Sequence, residues 1–249
     1  MCAPVCACPP PRPDGTVEYR TGTPDSDEES EVIHISETLM LQTVEEFLTA
    51  EEISRLVKIM DSEAAGWQPR HQAEVLKAPA TAQEVLADAT QRALPAIRRS
   101  MPSIAGSGHW GYTELAVGES VPTHLDGISS PRTPPRRIGR IGVTIADAAE
   151  GGRFYIETTS DSAPWTDTLL GAADGYEPDT PLTHSLPHGP AAHEVTPQWL
   201  SAPRKSRWLT DAGPGVAVAY GAQVIHGVTP VLRGRVRKFV TDLVDTATS

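Results

Sequence analysis

From residue 31 onward, apolar positions form two helical stripes, followed by a series of short alternating runs. In "VEEFLTAEEISRLVKIMDS", Thr49 with Glu52 three residues later is a capping-box signature. Leu48, Ile53, Leu56, Val57 and Met60 then share one helical face, which predicts a strand ending near Phe47 and a helix over about 50–62. A second stripe, Val85, Leu86, Ala89, Ala93, Leu94 and Ile97, predicts a helix over 81–100, with Pro95 expected to kink it or mark a restart. From Gly106 the period changes. Short β-like runs such as "HWGYTELAV", "RIGRIGVTIAD", "GVAVAYGAQVIHGV" and "RVRKFVTDLV" are punctuated by Gly and Pro. Helices first and strands afterwards predict an α+β fold built on a sandwich or open barrel.

Between Glu157 and Asp211 the rhythm breaks for over fifty residues. An aperiodic segment of that length is functional or disordered as a rule. Trp165, Tyr176, Trp199 and Trp208 argue for a folded one, and two readings stand: a lid beside a site, or a locally packed decoration. Residues 1–30, ending in "PDSDEES", carry too little apolar area to offset the entropy of ordering and read as a disordered tail. The expected domain is 31–249, with the insertion or lid at about 158–211.

The formal charge of −11 argues against a nucleic-acid partner. The basic stretch "PRTPPRRIGR" reads as an exposed loop entering a strand. No apolar run reaches the length of a membrane span, and the opening residues do not have the pattern of a secretory signal. Cys2, Cys6 and Cys8 all lie in the first octet, with no cysteine elsewhere to pair with, which excludes a disulfide-stapled body and points to a reduced, cytoplasmic protein.

The chemistry begins in "VPTHLDG". His124 and Asp126 are two positions apart, so on an extended strand both side chains emerge on one face. About one hundred residues later, His226 ends an apolar strand. Two imidazoles and one carboxylate in this order fit the facial triad of non-heme Fe(II) oxygenases, which leaves half of an octahedron open. His184, His188 and His193 in "THSLPHGPAAHE" have zinc-like spacing, but nearby Pro and Gly spoil a helix that would align them. His34, His71 and His109 have no partner that the sequence names.

Several motifs in order resemble the Fe(II)/2-oxoglutarate-dependent dioxygenases, in particular the prolyl 4-hydroxylase-like branch. These are "VEEFLTAEEISRLV", "ELAVGESVPTHLDG", "VTIADAAEGGRF" and "GPGVAVAYGAQVIHGVTPVLRGR". The resemblance covers about 31–157 and 211–245. It implies a double-stranded β-helix (jelly-roll) core with N-terminal helices packed on one sheet. It implies that His124, Asp126 and His226 bind Fe(II), with 2-oxoglutarate and O2 as co-substrates and succinate and CO2 released. The carboxylate of Asp126 favours oxygenation over halogenation.

In the family, a basic residue two positions after the last-strand glycine holds the far carboxylate of 2-oxoglutarate. Here that position is Val236, flanked by Arg235 and Arg237. Strand alternation puts Arg237 on one face with Phe239, Thr241 and Leu243; placing Arg235 as the anchor would aim Arg237 inward as well and crowd two guanidiniums into one pocket, which favours Arg237, and an Arg fork suits a carboxylate. Leu115, Val121 and Thr144 replace tyrosines common in the family, which leaves the hydroxyls of Tyr112 and Thr144 as co-substrate contacts or as buried, backbone-bonded groups. The expected reaction is hydroxylation of an unactivated C–H bond of a small molecule, an amino acid or a natural-product intermediate. Desaturation and ring closure share the same residues. A peptidyl hydroxylase, a non-catalytic jelly-roll binding module, and a zinc hydrolase using Glu114 or Glu157 as base are the competing readings, and oligomeric state is open.

Overall fold

The computed structural model describes residues 32–67, 69–186 and 196–246. The expected tail at 1–30 lies outside them, as do His188 and His193. In chain order, the first elements are α1 (Ile35–Thr38), β1 (Leu41–Val44), α2 (Ala50–Glu63), β2 (Leu76–Lys77) and α3 (Ala80–Ile97). Then come β3 (Gly106–Ser107), β4 (Gly111–Leu115), β5 (Val121–His124), β6 (Arg137–Ala146), β7 (Glu150–Gly151) and β8 (Phe154–Thr158). The chain continues through β9 (Trp165–Leu170), β10 (Thr180–Thr183), α4 (Gln198–Ser201) and β11 (Ser206–Leu209). It closes with β12 (Ala217–Gly221), β13 (Ile225–Val228), β14 (Val231–Arg233) and β15 (Val236–Val244).

Two antiparallel sheets face each other. The larger runs β1-β12-β6-β15-β4-β2, with β3 on β15, and the smaller runs β11-β8-β13-β5. β4, β6, β12 and β15 of the larger sheet alternate along the chain with β5, β8 and β13 of the smaller, which is the interleaving of a double-stranded β-helix. The α+β class and the jelly-roll core are as expected.

The capping box forms. Glu52 N–H donates to Thr49 Oγ1 at 3.2 Å, and Thr49 N–H to Glu52 Oε2 at 2.9 Å. Leu56 and Met60 of α2 and the stripe of α3 bury against the outer face of the larger sheet. Each buried Val, Leu, Ile or Met among them contributes about 1.5–3 kcal/mol by leaving water. Pro95 does not end α3, which continues to Ile97. Its ring lies on the exposed face in the last turn, so the Gln91 carbonyl deprived of its donor is open to water.

The larger sheet is covered on both faces, and this decides the register of β15. Tyr112, Ile141, Val143, Ile145, Phe239 and Leu243 all pack in the core shared with the helices. The alternate positions, Thr113, Leu115, Arg140, Gly142, Lys238 and Val240, line the barrel interior. The expected inward face of β15, with Arg237 beside Phe239 and Leu243, is therefore the helix-facing one. In the 158–211 segment, β9 and β10 pair with each other, and β11 joins the smaller sheet through β8. Trp199 and Leu200 pack with Leu125 and Ile225 on the sheet's outer side.

Candidate metal centre

His124 ends β5, and His226 sits on the adjacent β13 as its register partner. Asp126 follows two residues after His124. The ligand atoms of His124, Asp126 and His226 lie within 4.8 Å of one another, the one such cluster among the described residues. The imidazole of His226 is 3% exposed and Asp126 is 5% exposed.

Backbone carbonyls orient both rings. His124 Nδ1 lies 2.8 Å from the Pro122 carbonyl, and His226 Nδ1 lies 2.9 Å from that of Val224. A carbonyl accepts only, so each Nδ1 carries the proton and each Nε2 keeps its lone pair. His226 Nε2 is 3.5 Å from Asp126 Oδ2. Burial pushes the His226 imidazole down to about 4, with Asp126 pulling the other way, so the ring is neutral at ordinary pH. Neutral Nε2 donors and a buried carboxylate, converging, are the donor set of a divalent cation site.

The cluster opens on a cavity of about 290 Å³, walled by Leu115, Val121 and Val240, by Leu186, and by the segment from Arg70 to Val75. A second cavity of about 460 Å³ lies beyond, bounded by Thr144, Val236 and the turn at Gly151 and Gly152. Both glycines adopt φ of 76° and 65°, in the left-handed region that other residues rarely enter. Phe154, Tyr220 and Lys238 border both cavities.

Two interior cations stand near the cluster. Arg140 is ion-paired to Asp126 at 2.9 Å and to Asp242 at 3.0 Å. Its own burial opposes the charge, but Asp126 raises its pKa further, and it remains a cation. Lys238 Nζ has no hydrogen bond or ion pair among the described residues, and it lies over the Phe154 ring at 5.8 Å. Burial pushes this lysine down to about 8, and Arg140 pushes the same way. A Cβ on Gly142 would stand 3.8 Å from Lys238 Cε, in ordinary contact with the lysine stem.

The other expected contacts fall differently. Arg237 leaves the interior: its guanidinium pairs with Asp61 at 2.9 Å and donates to Tyr112 Oη at 2.6 Å. Arg235 pairs with Glu114 at 2.8 Å on the exposed side. Tyr112 is buried against Phe239 on the helix face and bonds to Glu114. Thr144 alone of these four borders an interior cavity. Glu157 pairs with Arg207, whose guanidinium lies over Tyr155 at 3.8 Å; neither Glu157 nor Glu114 lines the metal cavity. His184 stacks on Trp199. Sequence reasoning missed Arg140, Lys238 and the Arg70–Val75 wall. The first two shared the alternation that Thr144 already marked, whereas the wall carried no periodic signal.

No helix among the described residues is long and apolar enough to cross a membrane. No protein-family model matches the sequence, and no curated protein does. Solved structures do match. A prolyl-4-hydroxylase from Pseudomonas putida aligns over 84% of this chain and 95% of its own, with 14% identity and a TM-score of 0.52. HygX from Streptomyces hygroscopicus, solved with nickel and 2-oxoglutarate bound, aligns over 86% of each chain, with 12% identity and a TM-score of 0.53. A Trichoplax adhaerens prolyl hydroxylase, in complex with a hypoxia inducible factor peptide, aligns over 87% of this chain and 89% of its own, with 9% identity and a TM-score of 0.52. At such identities the likeness is one of fold. The chain has the fold of the prolyl 4-hydroxylase-like 2-oxoglutarate oxygenases, a double-stranded β-helix with N-terminal helices on its larger sheet.

Proposed function

We propose that this protein is a non-heme Fe(II)- and 2-oxoglutarate-dependent oxygenase that hydroxylates an unactivated C–H bond of a small molecule, an amino acid or a natural-product intermediate. The observation that carries this reading is the convergence of His124, Asp126 and His226, with both histidines lining an interior cavity. Once bound, Fe(II) would couple dioxygen and the oxidative decarboxylation of 2-oxoglutarate to hydroxylation, with succinate and CO2 released.

The residues divide the work. His124 and His226 offer neutral Nε2 donors held by backbone carbonyls, and Asp126 supplies the charge that retains a divalent ion. We assign the far carboxylate of 2-oxoglutarate to Lys238, in place of Arg237 or Arg235. A cavity-lining ammonium with no directly bonded counter-charge is costly, and an anionic ligand relieves that cost. Both arginines already have acidic partners outside the barrel. Thr144 borders the cavity that Lys238 reaches and remains a second polar contact for the same ligand. Leu115, Val121, Val240 and Phe154 give the space above the ion apolar walls that exclude water. The size of the cavity favours a compact substrate, with Leu186 of the 158–211 insertion among its walls. A peptidyl substrate, as in the Trichoplax complex, is the second reading.

Anaerobic addition of Fe(II) and then 2-oxoglutarate to metal-free protein tests the assignment. The expected result is a weak visible charge-transfer band that needs both additions. Folded protein without that band returns the chain to the binding-module reading. Stimulation of 2-oxoglutarate turnover across amino acids, natural-product intermediates and proline-containing peptides identifies the substrate class.

A further inference from the structure

We propose that Arg140 is a positioning residue that restricts Asp126 to a single metal-facing oxygen. The inference rests on the metal-centre reading above and concerns how the carboxylate is offered, not which residues bind.

The two oxygens of Asp126 have different neighbours. Oδ1 accepts from Arg140 Nη1 at 2.9 Å, whereas Oδ2 faces His226 Nε2 at 3.5 Å. The guanidinium is held from its other side, with Arg140 Nε 3.0 Å from Asp242 Oδ1. Arg137 Nη2 lies 3.0 Å from Asp242 Oδ2 and extends the row of alternating charges from β6 to β15. The Asp126 side chain is fully buried at the inner end of this row, so water does not compete for Oδ1. A charge-assisted bond in such surroundings is strong, and rotation of the carboxylate away from Arg140 would break it.

The consequence is coordinative. A free carboxylate binds a divalent ion through one oxygen or two. Two imidazoles and a one-oxygen carboxylate leave three octahedral positions open, enough for a chelating 2-oxo acid and dioxygen. A two-oxygen carboxylate leaves one position fewer. By engaging Oδ1, Arg140 preserves the third.

Manganese(II) as the probe ion, read by water proton relaxation of the loaded protein without co-substrate, tests this. Wild-type protein is expected to hold about three metal-bound waters and Arg140→Met about two, so the relaxation enhancement falls by roughly a third. Arg140→Lys, which keeps a cationic donor toward Oδ1, is expected to restore the wild-type value. A loss of fold alone does not produce that rescue. If Arg140→Met does not fold, Arg140→Gln, too short to reach Oδ1, makes the same comparison. Equal enhancement in folded wild-type and Met or Gln variants overturns the proposal while leaving the metal-centre reading intact. No enhancement in wild-type protein overturns the metal-centre reading, and this inference with it.

Discussion

His124 and His226 are cross-strand partners whose imidazole centroids lie 4.1 Å apart, tilted by 54°. Their separation is set by the ladder between β5 and β13, not by a flexible loop. Gly227 permits the approach, since a Cβ there would stand 2.6 Å from the Val121 carbonyl oxygen and closer still to Tyr155. Two of the three ligands are thus positioned by the sheet itself.

Replacing either imidazole is expected to abolish metal-dependent succinate formation while the barrel stays folded. The loss in His124→Ala or His226→Ala should exceed the roughly 10–100-fold typical of removing a partner that only supports a ligand. Circular dichroism and metal-dependent thermal shift separate lost binding from lost folding. A His226→Ala protein that still forms the charge-transfer band contradicts the ligand assignment.

Lys238→Met is expected to weaken 2-oxoglutarate binding far more than Arg235→Ala or Arg237→Ala. Losing a buried charged partner costs on the order of 3–5 kcal/mol. Anaerobic titration of the Fe(II)-loaded proteins measures the difference. Comparable weakening in Arg237→Ala and Lys238→Met defeats the choice of Lys238.

The depressed lysine gives a pH signature. Its folded value of about 8 lies below the ordinary 10.5, so between these two the unfolded chain binds the extra proton. The ligand-free protein therefore gains stability from this group as pH rises from about 8 to 10.5. Co-substrate affinity moves the opposite way and falls as Lys238 loses its proton above about 8. Melting temperatures across this range, with and without N-oxalylglycine and metal, read both trends. Lys238→Met removes them.

Gly142→Leu is expected to act as a plug. Its Cβ would make ordinary contact with Val240 Cγ1 at 3.4 Å, and the rest of the side chain would occupy the space beside Lys238. Metal binding should persist while 2-oxoglutarate binding falls, measured by the same titration. Unchanged co-substrate affinity would place the ligand elsewhere in the barrel.

Thr49→Ala removes the acceptor at the start of α2, at a cost of about 1 kcal/mol. Denaturant unfolding should show that loss with the metal centre undisturbed.

The cluster of His124, Asp126 and His226 was legible because its members sit on or beside paired strands, where a spacing of two has a fixed geometric meaning. The two long helices were legible through Thr49–Glu52 and the stripe from Val85 to Ile97. The interior position of Lys238 was not. Alternation along β15 separates Arg237 from Lys238 correctly, but Phe239 and Leu243 look like barrel residues when they belong to the helix-covered side. A sheet buried on both faces gives two apolar rows, and parity alone does not say which encloses the site. The Arg70–Val75 wall was hidden for another reason. It has no period, and its place is set by contacts distant in sequence, such as the bond from Gln72 to the Ser120 carbonyl.

Phe154, Tyr220 and Lys238 stand where the two interior chambers meet, which makes the barrel a passage with a waist. With 2-oxoglutarate assigned to Lys238 as proposed, co-substrate and substrate would lie on opposite sides of this waist.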